Sequence, residues 1–417
     1  MRSGSGSRLR VLVIAYQFSP ALGSEFKAAW KMVHELSKYC EITVLFGDSD
    51  GLMGSTDFFD HYARSHQLPF QYFKVPAAPW QVYWAKRMTS MPMGLFFWIL
   101  VKAWMRDAYK LACTLHQENP FDVAHQLGPI GFRNPGYLWK LNCRTIWGPI
   151  GGAQFINLRM IKNVRVNYFW EALIRNLITY YQGNSKYIRD AATKYDGLSF
   201  ANFENRTYFQ KRFRRDGAVV SEQGLEFAPG NLASSPTNHV QASRSLRVIW
   251  AGTLRGVKNT PMLCDILQSP HPNIDFIVLG DGPDAPMVKQ IANVQSNVKY
   301  LGFLPRNELM ELFSKSDLIM MTDLTAGNPA VLFEAMESGC VPLVPNIHGF
   351  ASLLRPEVAF LVESTHYKDA VRQYTEILRQ ISSDITLLDR KKSALAIHQK
   401  SLTWESFARL HLANYFS

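Results

Sequence analysis

The chain has 417 residues, is 47% hydrophobic and 19% charged, and carries a formal net charge of +11 with no low-complexity tract. At roughly 100–200 residues per domain this is a globular protein of two or three domains, each with its own core, and not a disordered one. All the excess charge lies in one half: residues 1–235 hold 28 Lys+Arg against 17 Asp+Glu, whereas residues 236–417 hold 17 of each.

That first half is the one to meet an anionic surface or ligand. Nucleic acid is not expected, because a sequence pI near 9.3 comes without any recognition motif. The five cysteines, Cys40, Cys113, Cys143, Cys264 and Cys340, are widely spaced and form no C-x-x-C. A disulfide framework or a metal site is not expected from them, and a reducing compartment is favoured.

The first apolar run after the polar residues 1–7, Arg10–Tyr16, is predicted to be a strand too short for a signal peptide. A turn-rich loop, Gln17–Gly23, leads to a helix from about Ser24 to Lys38 and a strand at Glu41–Phe46, which makes a βαβ unit. The most apolar stretch, Gly94–Met105, has 12 residues interrupted by Lys102. A bilayer span needs about 20, so no segment is expected to cross a membrane. Strands at Phe121–His125 and Thr145–Trp147 each run into Gly/Pro loops, and the text from about Phe155 to Phe213 is helical and aromatic.

Ala233–Ser245 is polar, contains proline and has no apolar period, as an interdomain linker does. Alternation then resumes. Strands are predicted at Leu246–Ala251, Ile274–Leu279, Val298–Leu301, Leu318–Met321 and Val341–Val344. Helices are predicted at Asn259–Leu267, Asp284–Ala292, Arg306–Lys315 and Pro329–Ser338. Strands alternating with helices imply parallel, doubly wound sheets. The expected fold class is α/β, with two Rossmann-like domains facing each other across a cleft where ligands bind. The expected boundaries are 1–235, 236–400, and a C-terminal helix at 401–417 packing back on the first domain.

The richest segment is Asp323–Gly339. Asn328 is a strong N-cap residue, Pro329 suits the first helical position, and Gly339 suits the exit. The free amides and positive dipole end of such a helix form an anion site fit for a diphosphate. Glu334, with the small residues Ala330 and Ser338 four positions away on either side, could accept two ribose hydroxyls. The plain alternative is an ordinary solvated helix glutamate.

The chain resembles glycosyltransferase family 4, of GT-B fold, over nearly its whole length. In the second half the resemblance rests on Ala251-Gly252-Thr253 with Lys258, Leu279–Pro283, Leu301–Leu304 with Glu308 and Leu309, and Gly327-Asn328-Pro329 with Glu334-Ala335-Met336 and Gly339. In the first half it rests on Pro20–Glu25, Asp122–His125 and Trp147–Gly152. The resemblance implies a retaining transferase that takes a nucleotide-diphosphate sugar and requires no metal or other cofactor.

It also implies roles. Glu334 would hold the ribose and Lys258 the diphosphate, with Gly252, Gly302, Phe303, Leu304, Gly327, Asn328, Pro329, Ala330 and Val331 around the donor. Gly23 would close on the diphosphate from the first domain, and His125 would stand beside the donor sugar, although a structural histidine is the alternative from residue type alone. Two positions depart from the family. Ala326 stands where a sugar-contacting glutamate is usual, with Asp323 as a candidate replacement. Thr253 stands where an arginine is common, with Arg255 two residues on. His125, Lys258 and Arg255 are thus the candidate catalytic residues.

A noncatalytic subunit that kept the fold is the alternative that Ala326 raises. The first domain would receive the acceptor, a glycan or a lipid-linked saccharide. Its basic charge, with Trp80, Tyr83, Trp84, Lys86, Arg87, Phe96, Phe97 and Trp98, fits peripheral contact with the inner face of a membrane from the cytoplasm. The alternative is that Gly94–Met105 is a core helix and the charges a solvated face. Three motifs are set aside: Asp48-Ser49-Asp50 reads as a turn, Gly280-Asp281-Gly282 lacks the dinucleotide fingerprint, and Asn205-Arg206-Thr207 is a sequon without a secretion signal.

Overall fold

A computed structural model describes residues 8–21, 23, 25–48, 57–88, 94–161, 166–226 and 245–416. It contains two compact units that interleave along the chain: Met1–Gln154, Tyr180–Gly224 and Trp404–Ser417 form the first, Phe155–Thr179 and Leu225–Thr403 the second.

The first unit carries β1 (Arg10–Ile14), β2 (Glu41–Asp48), β3 (Gln71–Pro76), β4 (Val123–Gln126), β5 (Arg144–Ile150), β6 (Gly197–Phe200) and β7 (Ala218–Val219). All pair in parallel, in the order β3-β2-β1-β4-β5-β6-β7. A strand covered by helices on both faces must be apolar throughout, and Val11–Ile14 and Ile42–Phe46 are buried at every position. Helix Gly94–Glu118 turns Leu100, Val101, Trp104, Met105, Ala108 and Ala112 into the core from one face. The most apolar stretch of the sequence is therefore a core helix. Among the described residues no helix is long and apolar enough to cross a membrane. The last helix, Trp404–Phe416, packs on helix Glu25–Leu36 and buries Trp404, Phe407, Ala408, His411 and Tyr415.

The second unit carries β8 (Leu246–Ala251), β9 (Ile274–Leu279), β10 (Val298–Gly302), β11 (Leu318–Met320), β12 (Val341–Pro345) and β13 (Phe360–Val362). These strands are also parallel, in the order β10-β9-β8-β11-β12-β13. The strand order reverses between β1 and β4 in the first sheet and between β8 and β11 in the second. Such switch points are where open parallel sheets hold ligands.

A single boundary at 235/236 describes consecutive blocks, whereas Phe155–Thr179 packs with the second unit. Ile156, Met160 and Ala172 join the second core, and the Tyr168 hydroxyl lies 2.6 Å from both carboxylate oxygens of Asp284. The apolar face of a helix does not encode which sheet it will cover. Of the expected linker Ala233–Ser245, residues 233–244 lie outside the described residues, as do Ser49 and Asp50.

Candidate active site

Parallel strands bring their carboxyl ends to one edge, so loops distant in sequence become neighbours there. In the second unit this edge gathers Gly252, Arg255 and Lys258 after β8, and Gly302, Phe303 and Leu304 at the end of β10. It also gathers Gly327, Asn328, Pro329, Ala330 and Val331 after β11. The backbones approach closely: the Gly280 amide donates to the Gly302 carbonyl at 2.7 Å, and Gly280 has φ +110°. A Cβ on Gly280 would overlap the Gly252 carbonyl oxygen, so only glycine fits.

Lys258 Nζ pairs with Asp323 Oδ1, joining the loops after β8 and β11 at the switch point. The aspartate side chain is 1% exposed and the lysine 22%. Burial pushes the Asp323 carboxyl above its ordinary range, and the Lys258 ammonium pulls against that shift without cancelling it. Asp323 Oδ2 and the Thr325 hydroxyl are buried without a hydrogen-bond partner among the described residues. Two orphaned polar atoms at a switch point call for a polar ligand.

Near the same edge, Arg255 is exposed. The Arg175 guanidinium has its pKa pushed down, first by burial and then by the charge of Arg255. Arg175 escapes sequence reading because it sits in the segment whose text does not show which unit it joins.

Helix Ala330–Glu337 has Pro329, not Asn328, at its N-cap, and no side chain caps it. Gly349 lies so close that a Cβ there would collide with Asn328 Oδ1 and the Gly327 carbonyl, so only glycine fits beside this loop. The helix still presents its first amides, at Ala330 and Val331, which have no acceptor within a helix. Ala326 is buried under the loop after β12: its amide donates to His348 Nδ1 and its carbonyl accepts from the Gly349 amide, both at 3.3 Å.

Glu334 is partly exposed and ion-paired. Its Oε1 accepts from Arg306 Nε at 2.9 Å, with side-chain exposures of 21% and 56% respectively. Phe303 is the most exposed aromatic of this edge, at 81%.

In the first unit Gly23 is exposed, with open space where a side chain would stand. The structure places His125 differently from the expected sugar contact. The ring is fully buried, and Nε2 donates to the Gly148 carbonyl at 2.8 Å. That assigns the proton to Nε2 and leaves Nδ1 to accept from the Tyr415 hydroxyl at 2.7 Å. Burial pushes its pKa down to about 4, against a smaller opposite effect of the Gly148 bond. β4 is an inner strand covered by helix Trp404–Phe416, so its histidine joins sheet to helix and has no nitrogen left for a sugar.

Trp80, Tyr83 and Trp84 are about half exposed on helix Pro79–Met88, with Arg87 over the Tyr83 ring at 4.4 Å. The side chains of Phe96 and Phe97 lie outside the described residues. Asn205 of the sequon is buried and accepts from the Ala153 amide at 2.8 Å, so it is no glycan acceptor in the folded chain.

Residues 237–385 match the family model described as Glycosyl transferases group 1. The chain is 26% identical over 172 residues to the phosphatidylinositol N-acetylglucosaminyltransferase GPI3 subunit of Saccharomyces cerevisiae. That alignment spans 40% of this chain and only 37% of the length of the curated relative. Among solved structures, the lipopolysaccharide outer core galactosyltransferase WaaB is similar at a TM-score of 0.66 and 12% identity, covering 98% of this chain and 99% of that one. Sucrose-phosphate synthase from Thermosynechococcus elongatus is similar at 0.64 and 13%, covering 98% of both chains. Anabaena HepE, solved with UDP and glucose, is similar at 0.55 and 15%, covering 97% of this chain and 99% of that one. At such identities the structural likeness shows the fold, which is that of GT-B proteins with two Rossmann-like domains. Together with the matched domain it supports a glycosyltransferase of the GT-B type.

Proposed function

We propose that the protein is a retaining glycosyltransferase that moves a sugar from a nucleotide-diphosphate sugar to a glycan or lipid-linked saccharide, of the kind used in cell-surface polysaccharides. The observation that carries this reading is the β8/β11 switch point. There Lys258, the orphaned oxygen of Asp323, the orphaned hydroxyl of Thr325 and a helix start converge on one edge.

In this reading the first amides of helix Ala330–Glu337 and the Lys258 ammonium receive the diphosphate and stabilise it as it leaves, with Arg255 assisting. Glu334 accepts the ribose hydroxyls, exchanging its bond to exposed Arg306 for them. The exposed Phe303 ring offers a flat apolar surface to the base. The acceptor binds the first unit, whose basic surface and half-exposed Trp80, Tyr83 and Trp84 suit an anionic inner membrane face. A lipid-linked acceptor is in keeping with the names of the GPI3 subunit and WaaB relatives.

The second reading, a noncatalytic subunit, is favoured by two observations: Lys258 is already paired with Asp323, and Ala326 supplies no carboxylate. Calorimetry with UDP-, GDP- and ADP-sugars, followed by transfer to membrane extracts, separates the two. The proposal expects binding that Glu334→Ala weakens, Lys258→Ala costing the sugar nucleotide more than the nucleoside, and turnover. Absence of any nucleotide binding would defeat the donor site. Donor binding without transfer to any extract would select the noncatalytic reading.

A further inference from the structure

Helix Val166–Gly183 covers the loop after β8 with residues that belong to the second unit. The Tyr168 ring lies so close over Gly256 that a Cβ there would stand 2.4 Å from it. The Tyr168 hydroxyl holds Asp284, whose amide donates to the Leu254 carbonyl at 3.0 Å. Further along, Asn176 Nδ2 donates to the Ile156 carbonyl and Asn176 Oδ1 accepts from the Ile156 amide, both at 2.9 Å. These bonds fix how the helix is turned about its axis. Tyr168, Ala172 and Arg175 are spaced by four and three, so they share a face, and Ala172 lies in the core of the second unit.

Arg175 sits two turns, about 10 Å, beyond Tyr168 on that face. Helical side chains lean toward the amino-terminal end, which brings the Arg175 side chain back toward Arg255, the neighbour of Gly256. Arg175 is half-buried and Arg255 exposed. Burial and then the charge of Arg255 both bear on the Arg175 guanidinium, and no carboxylate among the described residues acts against them. Folding thus places two like charges together at the carboxyl edge, one of them partly desolvated, which is costly until an anion joins them. Lys258, the other cation of this edge, already faces Asp323. Each guanidinium fork can bond two phosphate oxygens at once, so two forks suit a group with two phosphates.

We propose that Arg175 and Arg255 together hold the diphosphate of the nucleotide sugar, one from the helix and one from the loop after β8. The pairing rests on the donor reading of this edge and adds to it a residue far outside the matched segment 237–385. Arg175 lies among residues 1–235, which carry the whole net charge of +11, yet it packs with the second unit. Part of the basic excess of the first half therefore serves the donor and not an anionic surface.

The test is calorimetric titration of the full chain with UDP, GDP, ADP, their nucleosides and inorganic pyrophosphate, alongside thermal unfolding. Arg175→Gln should bind the preferred nucleoside diphosphate about ten-fold or more weakly, while the nucleoside binds both proteins alike. Its affinity should also fall less steeply with added salt. Arg175→Lys, which keeps the charge without the fork, should recover part of the loss. Without ligand, Arg175→Gln should unfold at a higher temperature than the wild type, because the repulsion is gone. It should then gain less stability from pyrophosphate. An arginine with only a structural role would give the opposite sign. Arg255→Gln should weaken the diphosphate in the same way from the exposed side.

Unchanged diphosphate affinity in Arg175→Gln, or an equal loss for the nucleoside, overturns the proposal and leaves the donor site standing. If Arg175→Gln does not fold, Arg175→Lys decides, and wild-type affinity and salt dependence there overturn it. Pyrophosphate binding that needs Arg175, without binding of any nucleotide, sinks the donor reading and keeps the arginine pair as a diphosphate site. Binding of neither overturns both.

Discussion

His125 and Asp323 are both titratable groups buried near the carboxyl edge of a parallel sheet, and they are buried in opposite conditions. His125 has both nitrogens bonded within its own unit, to Tyr415 and Gly148. Asp323 has one oxygen on Lys258 and the other on nothing among the described residues. A saturated polar group is part of the scaffold, because any ligand would first have to break a bond worth having. A half-saturated one holds a vacancy that folding alone does not fill. The contrast reverses the ranking that residue type suggests, in which a histidine at a strand end outweighs an aspartate in a loop.

The largest effect should come from His125→Ala, which strands the Tyr415 hydroxyl and opens a cavity. A loss of about 3 kcal/mol in denaturant unfolding is expected, with donor affinity of the folded protein unchanged. The contrast breaks if stability holds and affinity falls. The same residue predicts a pH profile. Its pKa falls from 6.5 unfolded to about 4 folded, so between those values the unfolded chain binds more protons. Stability should therefore be present above pH 6.5 and decline as pH falls toward 4, by up to about 3 kcal/mol, and His125→Gln should flatten the decline.

The Lys258–Asp323 pair should be asymmetric. Lys258→Ala leaves a buried carboxylate unpaired and should cost about 2–3 kcal/mol in thermal unfolding. Asp323→Ala leaves a lysine that can reach water and should cost less than about 1 kcal/mol. Equal losses would mean that the aspartate is not the buried partner in solution. His411 is a third case: fully buried beside His125, with neither ring nitrogen bonded to any described residue. His411→Leu should raise stability by about 1 kcal/mol, and a fall would show that its nitrogens have partners in solution. Smallest of all, Arg306→Ala removes a mostly exposed partner of Glu334 and should shift stability by less than about 1 kcal/mol, without weakening nucleoside binding.

Much of this fold is legible in the text. Leu246–Ala251 and Ile274–Leu279 are apolar apart from Arg247 and Asp275 and are each followed by glycine, and both are largely buried parallel strands with the boundaries their residues predict. The helix after β11 is legible to within a residue, with Pro329 and not Asn328 at its N-cap. Pairings across long separations are not legible. Lys258 meets Asp323 65 positions away, and His125 meets Tyr415 290 positions away. Nothing local to either member records the contact. Ala326 shows the reverse: the substitution is plain in the sequence, but its burial under His348 is not.

The bond between His125 and Tyr415 also sets an order in time. The first unit needs Trp404–Phe416 to cover its sheet, so a ribosome must deliver the whole of the second unit before the first can close. The second unit, whose last segment ends at Thr403, has all its residues earlier. At about 5–20 residues per second the amino-terminal sheet waits tens of seconds for its last helix. Of the two units, the one whose strands come first is the last that can finish folding.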